Sequence, residues 1–372
     1  MKIFKSQDVK VIDEYTIKNE PIPSIDLMER AAGTFVRKFM FRYSSSSKVI
    51  VVAGPGNNGG DGLAVARMLS DRFYKVEVYI LKFGSGFSKD FQENRKFLEQ
   101  TEAVIKVVEK EENLPEFKEN YIIIDAIFGS GLSRKVTGLP AAAIKSINKS
   151  GAEVVSIDIP SGLFGEDNRD NDKNSIIKAD YTISFEFPFL SFFFPENEDF
   201  VGEWTAPSIG LLPEVIDKTS TQYHLITRED ISKLLKKRSK YSHKGTFGHA
   251  LIIAGCDGMM GAAVLAVKSA LRTGAGLVTA HVPRNSYSII QITVPESLIS
   301  IDQSDIIFTD TPDLSSYTAI GVGPGLSCRQ NTGKGVEKLL RTAEVPLLID
   351  ADGLNILASN KEWMDLIPEG TI

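Results

Sequence analysis

Five apolar residues, Val49-Ile50-Val51-Val52-Ala53, run straight into Gly54-Pro55-Gly56-Asn57-Asn58-Gly59-Gly60-Asp61-Gly62-Leu63. A run this short and uniformly apolar reads as a strand covered on both faces. The glycines that follow let the main chain turn tightly and pass close to a ligand before a helix over Leu63–Leu69. Backbone N–H groups and the dipole at such a helix start favour an anion such as phosphate. Gly54, Gly56 and Gly59 formally satisfy G-x-G-x-x-G, by itself a weak signature. An ordinary dinucleotide-binding dehydrogenase would end its next strand in an acidic residue, whereas Val76–Leu81 ends at Lys82. Asn57, Asn58 and Asp61 also bring more polar chemistry than a phosphate cradle needs.

The rest of the chain repeats this alternation. Val9, Ile12 and Ile17 mark a first helix, Pro21-Ile22-Pro23 breaks it, and Ser24 is expected to cap a second helix running to Phe39. Strands are expected at Val76–Leu81, Tyr121–Phe128, Glu153–Ile159, Tyr181–Phe185 and Glu203–Ile209, with helices at Lys89–Gln100 and Ala141–Lys149. Alternating apolar strands and helices predict a Rossmann-like, doubly wound, mostly parallel α/β sheet. After helix Arg228–Leu235, the charge run Lys236–Lys240 reads as a solvated joint. A second α/β pattern follows: strands Ala250–Gly255, Leu277–Val282, Tyr317–Val322 and Leu347–Asp350, helices Ala262–Thr273 and Lys334–Arg341. Two domains, 1–225 and 226–372, are expected, in keeping with a length of 372 residues.

Composition narrows the function. A formal charge of −6 argues against a nucleic-acid binder with a large basic face. No stretch reaches the roughly 18 apolar residues of a membrane span, and no signal peptide opens the chain, so a cytoplasmic protein is expected. Cys256 and Cys328 are too few for a disulfide scaffold. All four histidines (His224, His243, His249, His281) lie beyond residue 223, as do both cysteines. Proton transfer in the first half must therefore rest on carboxylates, Lys, Tyr or water.

Two carboxylates stand out. Asp125 is expected at the end of one buried strand, followed by Gly129-Ser130-Gly131-Leu132-Ser133-Arg134-Lys135; Asp158 ends the next, followed by Pro160-Ser161-Gly162. In a parallel sheet the crevice beyond the carboxyl ends of the strands binds ligands. There one carboxylate can hold a cation while another handles protons, and Arg134 and Lys135 can meet phosphate. Helix capping would explain either Asp alone.

Gly54–Leu63, Asp125-Ala-Ile-Phe-Gly-Ser-Gly-Leu132 and Asp158-Ile-Pro-Ser-Gly162 resemble the three signatures of the NAD(P)H-hydrate epimerase domain. Glu20–Ala32 is similar to that family's N-terminal helix, so the resemblance covers about residues 1–225. It implies a potassium ion near Asn58, Asp125 and Ser161. It also implies substrate contacts from Asn57, Asn58, Gly59, Gly60 and Asp61, from Gly129 through Lys135, and from Asp158. The reaction so implied interconverts the R and S forms of hydrated NADH or NADPH at ring carbon 6. Asp158 is preferred for the proton role and Asp125 for potassium, although the residues alone leave the two exchangeable.

Lys244–Gly255, Gly261-Ala262-Ala263, Arg272–Leu277, Gly321-Val-Gly-Pro-Gly-Leu326 and Asp350-Ala-Asp-Gly-Leu-Asn355 resemble the ADP-dependent NAD(P)H-hydrate dehydratase domain, a ribokinase-like fold. That resemblance implies Ala262 and Gly325 as substrate contacts, and ADP or ATP with Mg2+ to phosphorylate the hydroxyl. His243 and His249 read as structural or surface groups. The family continues with a His-Pro-Gly-Glu segment and a Gly-rich turn bearing its catalytic Asp. This sequence reaches Ile372 first, so an incomplete dehydratase domain, inactive by itself, is expected, with the Leu347–Ile349 strand edge exposed. The expected partner is a small molecule, with no nucleic acid and no membrane, and a homo-oligomer is expected. The alternative is a ribokinase-type small-molecule kinase fused to a non-catalytic nucleotide-binding module.

Overall fold

A computed structural model describes residues 1–84, 86–235 and 237–372. It divides into two compact units, Met1–Leu234 and Leu235–Ile372. The first unit therefore keeps helix Arg228–Leu234, which was expected in the second domain. The chain start holds it there. The Met1 ammonium bonds the Leu225 carbonyl at 2.8 Å and Asp230 Oδ2 at 3.2 Å, while Lys2–Ile3 pairs antiparallel with Tyr223–His224. In the joint expected at Lys236–Lys240, Lys236 lies outside the described residues.

The first unit is built on seven strands: β1 (Lys48–Ala53), β2 (Lys75–Leu81), β3 (Val104–Val108), β4 (Tyr121–Ala126), β5 (Glu153–Ile157), β6 (Tyr181–Ile183) and β7 (Glu203–Thr205). They lie in the order β3-β2-β1-β4-β5-β6-β7, every neighbouring pair parallel. Five principal helices accompany them: α1 (Ser6–Asn19), α2 (Ser24–Arg42), α3 (Asn57–Ser70), α4 (Lys89–Leu98) and α5 (Leu139–Lys149).

Both faces of the sheet are covered, as the uninterrupted apolar strands require. Val49, Val51 and Ala53 of β1 pack with Phe35 and Phe39 of α2 and Leu63 and Leu69 of α3. Ile50 and Val52 point the other way, into a layer with Ile144 and Ile147 of α5. Helix α1 lies apart from these layers. Its Ile12 packs with Leu27 and Ala31 of α2 and with Phe187 and Leu211. Its Val9 touches the Ile159, Leu163 and Phe189 cluster just beyond the end of β5.

The strand order reverses direction at β1 and β4, and ligand crevices of open α/β sheets form at such switch points. Ser24 departs from expectation: it is the first helical residue of α2 rather than its cap, and its hydroxyl donates to Asp90 Oδ1 at 3.0 Å.

The second unit carries β8 (His249–Ile253), β9 (Leu277–Val282), β10 (Leu298–Ile301), β11 (Ala319–Val322) and β12 (Leu347–Ile349), parallel in the order β10-β9-β8-β11-β12. Helices α6 (Met260–Thr273), α7 (Gln330–Thr342) and α8 (Asp352–Ser359) cover it. Met260, Ala263 and Val267 of α6 pack on one layer; Val336 and Leu339 of α7 join Ile356 and Leu357 of α8 on another. On the outer side of β12, Ile372 pairs in parallel: its N–H donates to Leu347 O at 3.0 Å and its carbonyl accepts from Ile349 N–H at 2.9 Å. Among the described residues no helix is long and apolar enough to cross a membrane.

Candidate functional site

Helix α3 begins at Asn57, so Asn57–Asp61 form its first turn rather than a loop before a helix at Leu63. Steric closeness explains why so many glycines fit there. A Cβ on Gly54 would lie 2.0 Å from the Ile127 carbonyl oxygen, on Gly59 1.8 Å from Gly54 O, and on Gly62 2.5 Å from Ala126 Cβ. These three glycines let α3 settle on the ends of β1 and β4. Gly60 is also buried, against Met28, and its N–H donates to Gly56 O at 3.1 Å. Gly56 alone of the five faces open space. Of the expected contacts on this turn, Asn57 is exposed, Asp61 half-buried, and Asn58, Gly59 and Gly60 buried.

Asp125 is fully buried at the end of β4 and both its oxygens are occupied. Oδ2 accepts from Ser156 Oγ and from Ser161 N–H, each at 2.8 Å; Oδ1 accepts from Ser161 Oγ at 2.5 Å and Ile127 N–H at 3.3 Å. Burial raises its pKa above the ordinary value, and these bonds offset only part of the rise. The same Ser161 hydroxyl accepts from Phe128 N–H at 2.8 Å, which ties the 125–135 segment to the Ser161 turn.

Asp158 stands one residue beyond β5 with φ 67°, a left-handed conformation uncommon outside glycine. Its N–H donates to the Ile183 carbonyl at 2.9 Å, which fixes the turn. Among the described residues its carboxylate is bonded by Ser130 alone, Oδ2 accepting from the N–H at 3.1 Å. Burial raises its pKa to about 6. A Cβ placed on Gly129 would touch Asn58 Cγ and Asp158 Oδ2, each at 3.3 Å. The absence of a side chain at Gly129 therefore leaves Asn58 and Asp158 facing across a narrow gap. The Asn58 amide nitrogen there is buried and has no hydrogen-bond partner among the described residues.

Along the rim, Ser130 and Leu132 are half-buried, while Gly131, Ser133, Arg134 and Lys135 are exposed. The structure thus brings Asn58, Asp125, Asp158, Ser161 and Gly129 to the carboxyl ends of β1, β4 and β5. A cleft of about 840 Å3 lined by Phe41, Arg42, Tyr181 and Trp204 opens where β6 and β7 begin, at the opposite end of the sheet. Its Arg42 is engaged by Glu203 and Glu153. Asp158, a group able to exchange protons near neutrality, sits at the carboxyl ends, and the candidate site is placed there.

Sequence reasoning missed Asp13. It lies on α1, one turn after Val9, and burial together with the Asp158, Glu186 and Glu14 carboxylates raises its pKa to about 7. The signal was available: Asp13 shares a helix face with Val9, Ile12 and Thr16, an inward face on which a charged side chain stands out.

In the second unit, Ala262 falls in the first turn of α6, and a Cβ on Gly325 (φ 66°) would lie 2.9 Å from Ala262 Cβ. The two expected contacts therefore adjoin. Gly325 belongs to the loop after β11, whose Pro324 carbonyl accepts from Gly255 N–H at 2.8 Å at the end of β8. Asp352 accepts from Ser327 N–H at 2.8 Å. His249 bonds Thr279 Oγ1 at 2.7 Å and packs on Tyr317, and His243 is exposed. A buried pair also escaped the sequence: His281 Nε2 lies 3.1 Å from Asp302 Oδ2. Asp302 further accepts from Ser304 N–H, Thr309 N–H, Thr309 Oγ1 and Asp310 N–H, and its pKa is held well below the usual carboxylate range by His281 and these donors.

Comparison with known proteins agrees with this division. The family described as YjeF-related protein N-terminus matches residues 24–190, and the NAD(P)H-hydrate dehydratase family matches residues 250–370. The bifunctional NAD(P)H-hydrate repair enzyme Nnr of Moorella thermoacetica is 30% identical over 97% of this chain and 70% of its own length. That of Dictyoglomus turgidum is 30% identical over 96% of this chain and 71% of its own. A solved ADP/ATP-dependent NAD(P)H-hydrate dehydratase from Bacillus subtilis, co-crystallised with ATP and Mg2+, is 34% identical over 34% of this chain and 46% of that one, with a TM-score of 0.29. With both halves matched in one continuous alignment, the chain belongs to the family of bifunctional NAD(P)H-hydrate repair enzymes.

Proposed function

We propose that the first unit epimerises hydrated NADH and NADPH at ring carbon 6, with Asp158 moving the proton and Asp125 serving a cation. The observation that carries this assignment is the contrast between the two carboxylates. Asp125 accepts four hydrogen bonds, which fix its carboxylate in place for a cation; among the described residues Asp158 is bonded by Ser130 alone.

The chemistry asks for little more than one such group. As the bond from carbon 6 to oxygen breaks, the ring-nitrogen lone pair forms a C=N+ bond and an acid's proton passes to the departing oxygen, releasing water. On return, a water oxygen bonds carbon 6 from either face, gives its proton to the carboxylate, and the electron pair goes back to nitrogen. Protons and electrons balance over the cycle. A carboxyl with its pKa near 6 can serve in both directions. The rim supplies the exposed Arg134 and Lys135 for the pyrophosphate, and the α3 N-terminus adds its dipole.

Potassium fits the residues present. Asn58, Asp125 and Ser161 each carry a side-chain oxygen, the donor type such a cation takes, and the latter two already share a hydrogen bond. Asn58, Asp125 and Ser161 would hold it. The ion supplies positive charge that offsets the buried Asp125 carboxylate.

We extend the reading to the second unit, where the S hydrate would lie against Ala262 and Gly325 and be dehydrated with ADP or ATP and Mg2+. Asp350 and Asp352, at the end of β12, are hard oxygen donors of the kind Mg2+ takes. A homo-oligomer working in the cytoplasm completes the reading.

Purified R hydrate and an epimer-resolving chromatogram test it. Asp158→Asn should slow interconversion by about a hundredfold or more, whereas Asp125→Asn should change the potassium concentration needed for half-maximal rate. Wild-type interconversion by Asp158→Asn would overturn the assignment.

A further inference from the structure

The two main sheets end in four edge strands, and three of them are guarded. Strand β3 carries Lys106, held by Glu77 and Tyr79. Strand β7 is three residues long and its Glu203 is engaged by Arg42. Strand β12 has its outer side taken by Ile372. Charge, shortness and cover are the usual means of blunting an edge. Strand β10 is different: Leu298-Ile-Ser-Ile301 carries no charge and no proline, and among the described residues nothing pairs with its outer side. The Asp302 N–H donates inward to Val282 O at 2.9 Å, so by the alternation of a strand the main-chain groups of Ile299 and Ile301 face outward. Leu298 and Ile301 are each about half exposed. The short helix Tyr287–Thr293 packs against β10 and adds Ile289 and Ile292, the latter 80% exposed.

We propose that β10 is a dimer interface, where the β10 strands of two copies pair antiparallel about a twofold axis at Ser300 and join two five-stranded sheets into one. The inference rests on the homo-oligomer of the reading above and names its contact surface. In this register Ile299 faces the partner subunit's Ile301, and Ile301 faces the partner subunit's Ile299. Each of these pairs exchanges two main-chain hydrogen bonds, because both members face outward. The isoleucine side chains meet across the seam and extend the apolar layer formed by Ile290 and Val294, on which Ile299 already packs.

Charge at the two ends of the strand favours a second copy over an unrelated extended peptide, which a bare edge also accepts. Glu296 precedes Ser300 by four residues and Ser304 follows it by four, so the twofold sets Glu296 opposite the partner subunit's Ser304. Arg284 stands beside Ser304, its N–H donating to Ser304 O at 3.0 Å. Its exposed guanidinium has Asp305 at 3.9 Å, and Glu296 is exposed with no ion pair among the described residues. Each Arg284 therefore meets the partner subunit's Glu296, once at either end of the seam. An isologous contact closes on itself, and the cover on β12 stops the sheet from growing further. Four edge residues alone are too few for a stable dimer, whose subunits each bury roughly 800 Å2; Ile289, Ile292, Leu298 and the two charge pairs widen the contact.

Sedimentation equilibrium of the full chain tests the interface. The wild type should reach twice the chain mass, and Ile301→Lys, which sets two charges in the apolar seam, should weaken association about tenfold or more. Arg284→Glu and Glu296→Arg change exposed side chains and leave the fold alone. Each should weaken association, and the two together should restore it, a rescue that no folding defect gives. Amide exchange at Ile299 and Ile301 should slow as protein concentration rises, while exchange at Val104 and Val107 of β3 should not. A dimer that none of the three variants weakens would overturn the β10 interface and leave the homo-oligomer standing. A wild-type monomer at every concentration would overturn both, and growth beyond two copies through the same residues would overturn the closed twofold.

Discussion

The backbone at Asp158 adopts φ 67° and its half-buried carboxylate is bonded by Ser130 alone among the described residues, two conditions that together work against stability. Asp13 and Asp61 add to that cost. Each of the three binds its proton more tightly in the folded chain than in the unfolded one, where ionisation occurs near the ordinary value of 3.8. An acid raised in this way contributes stability that is complete below the unfolded value. The contribution is lost as pH rises through the folded values of about 6 and about 7. Asp302 has the opposite sign: its depressed pKa stabilises above the unfolded value and fails only in strong acid. Hydrogen-exchange protection of the β1 and β4 amides should therefore fall as pH rises from about 4 to about 8, after correction for intrinsic exchange. Asp13→Asn should flatten that fall. An equal or steeper fall in the variant would contradict the assignment of strain to these carboxylates.

At the scale of elements, the junction of β1 with α3 shows which glycines are structural. Gly59→Ala places a methyl 1.8 Å from a backbone carbonyl oxygen and should cost about 3 kcal/mol or more. Gly56→Ala meets nothing within 4 Å and should stay within about 0.5 kcal/mol. Urea midpoints of the two variants measure the difference, and equal midpoints would show that the packing is misread.

The same junction marks how far the sequence could be read. The apolar runs of β1, β4 and β5 were legible because burial on both faces leaves no polar interruption. The start of α3 was not, since Gly59, Gly60 and Gly62 are poor helix formers that sit in a helix only because α3 must lie so close to β1 and β4. Strand β3 escaped because it closes the edge of the sheet, where Val104 and Val107 are exposed and Lys106 interrupts the run. The short β10, at the edge of the second sheet, escaped for the same reason. Asp125 and Asp158 were legible as strand ends. Their separate roles were not, because the serines that occupy Asp125, Ser156 and Ser161, lie far from it in sequence and reach it only through the β4–β5 pairing. Asp13 comes from a helix more than a hundred residues away from Asp158 in the chain, and only the packing of α1 brings it in.

Across the whole chain, each unit uses the same device: a parallel sheet whose order reverses beside a glycine-rich turn, β1 with β4 in the first and β8 with β11 in the second. Family membership supplies the substrate class for both, and the proton transfer proposed for the first unit's carboxylates needs no metal-activated water or nucleophilic side chain. In the proposed reaction the hydroxyl leaves as water and water returns. Epimerisation of purified R hydrate in oxygen-18 water tests that claim most directly. Oxygen-18 should appear at carbon 6 of the S product with every turnover, and both label and product should vanish together in Asp158→Asn. An S product that retains its original oxygen would contradict the account.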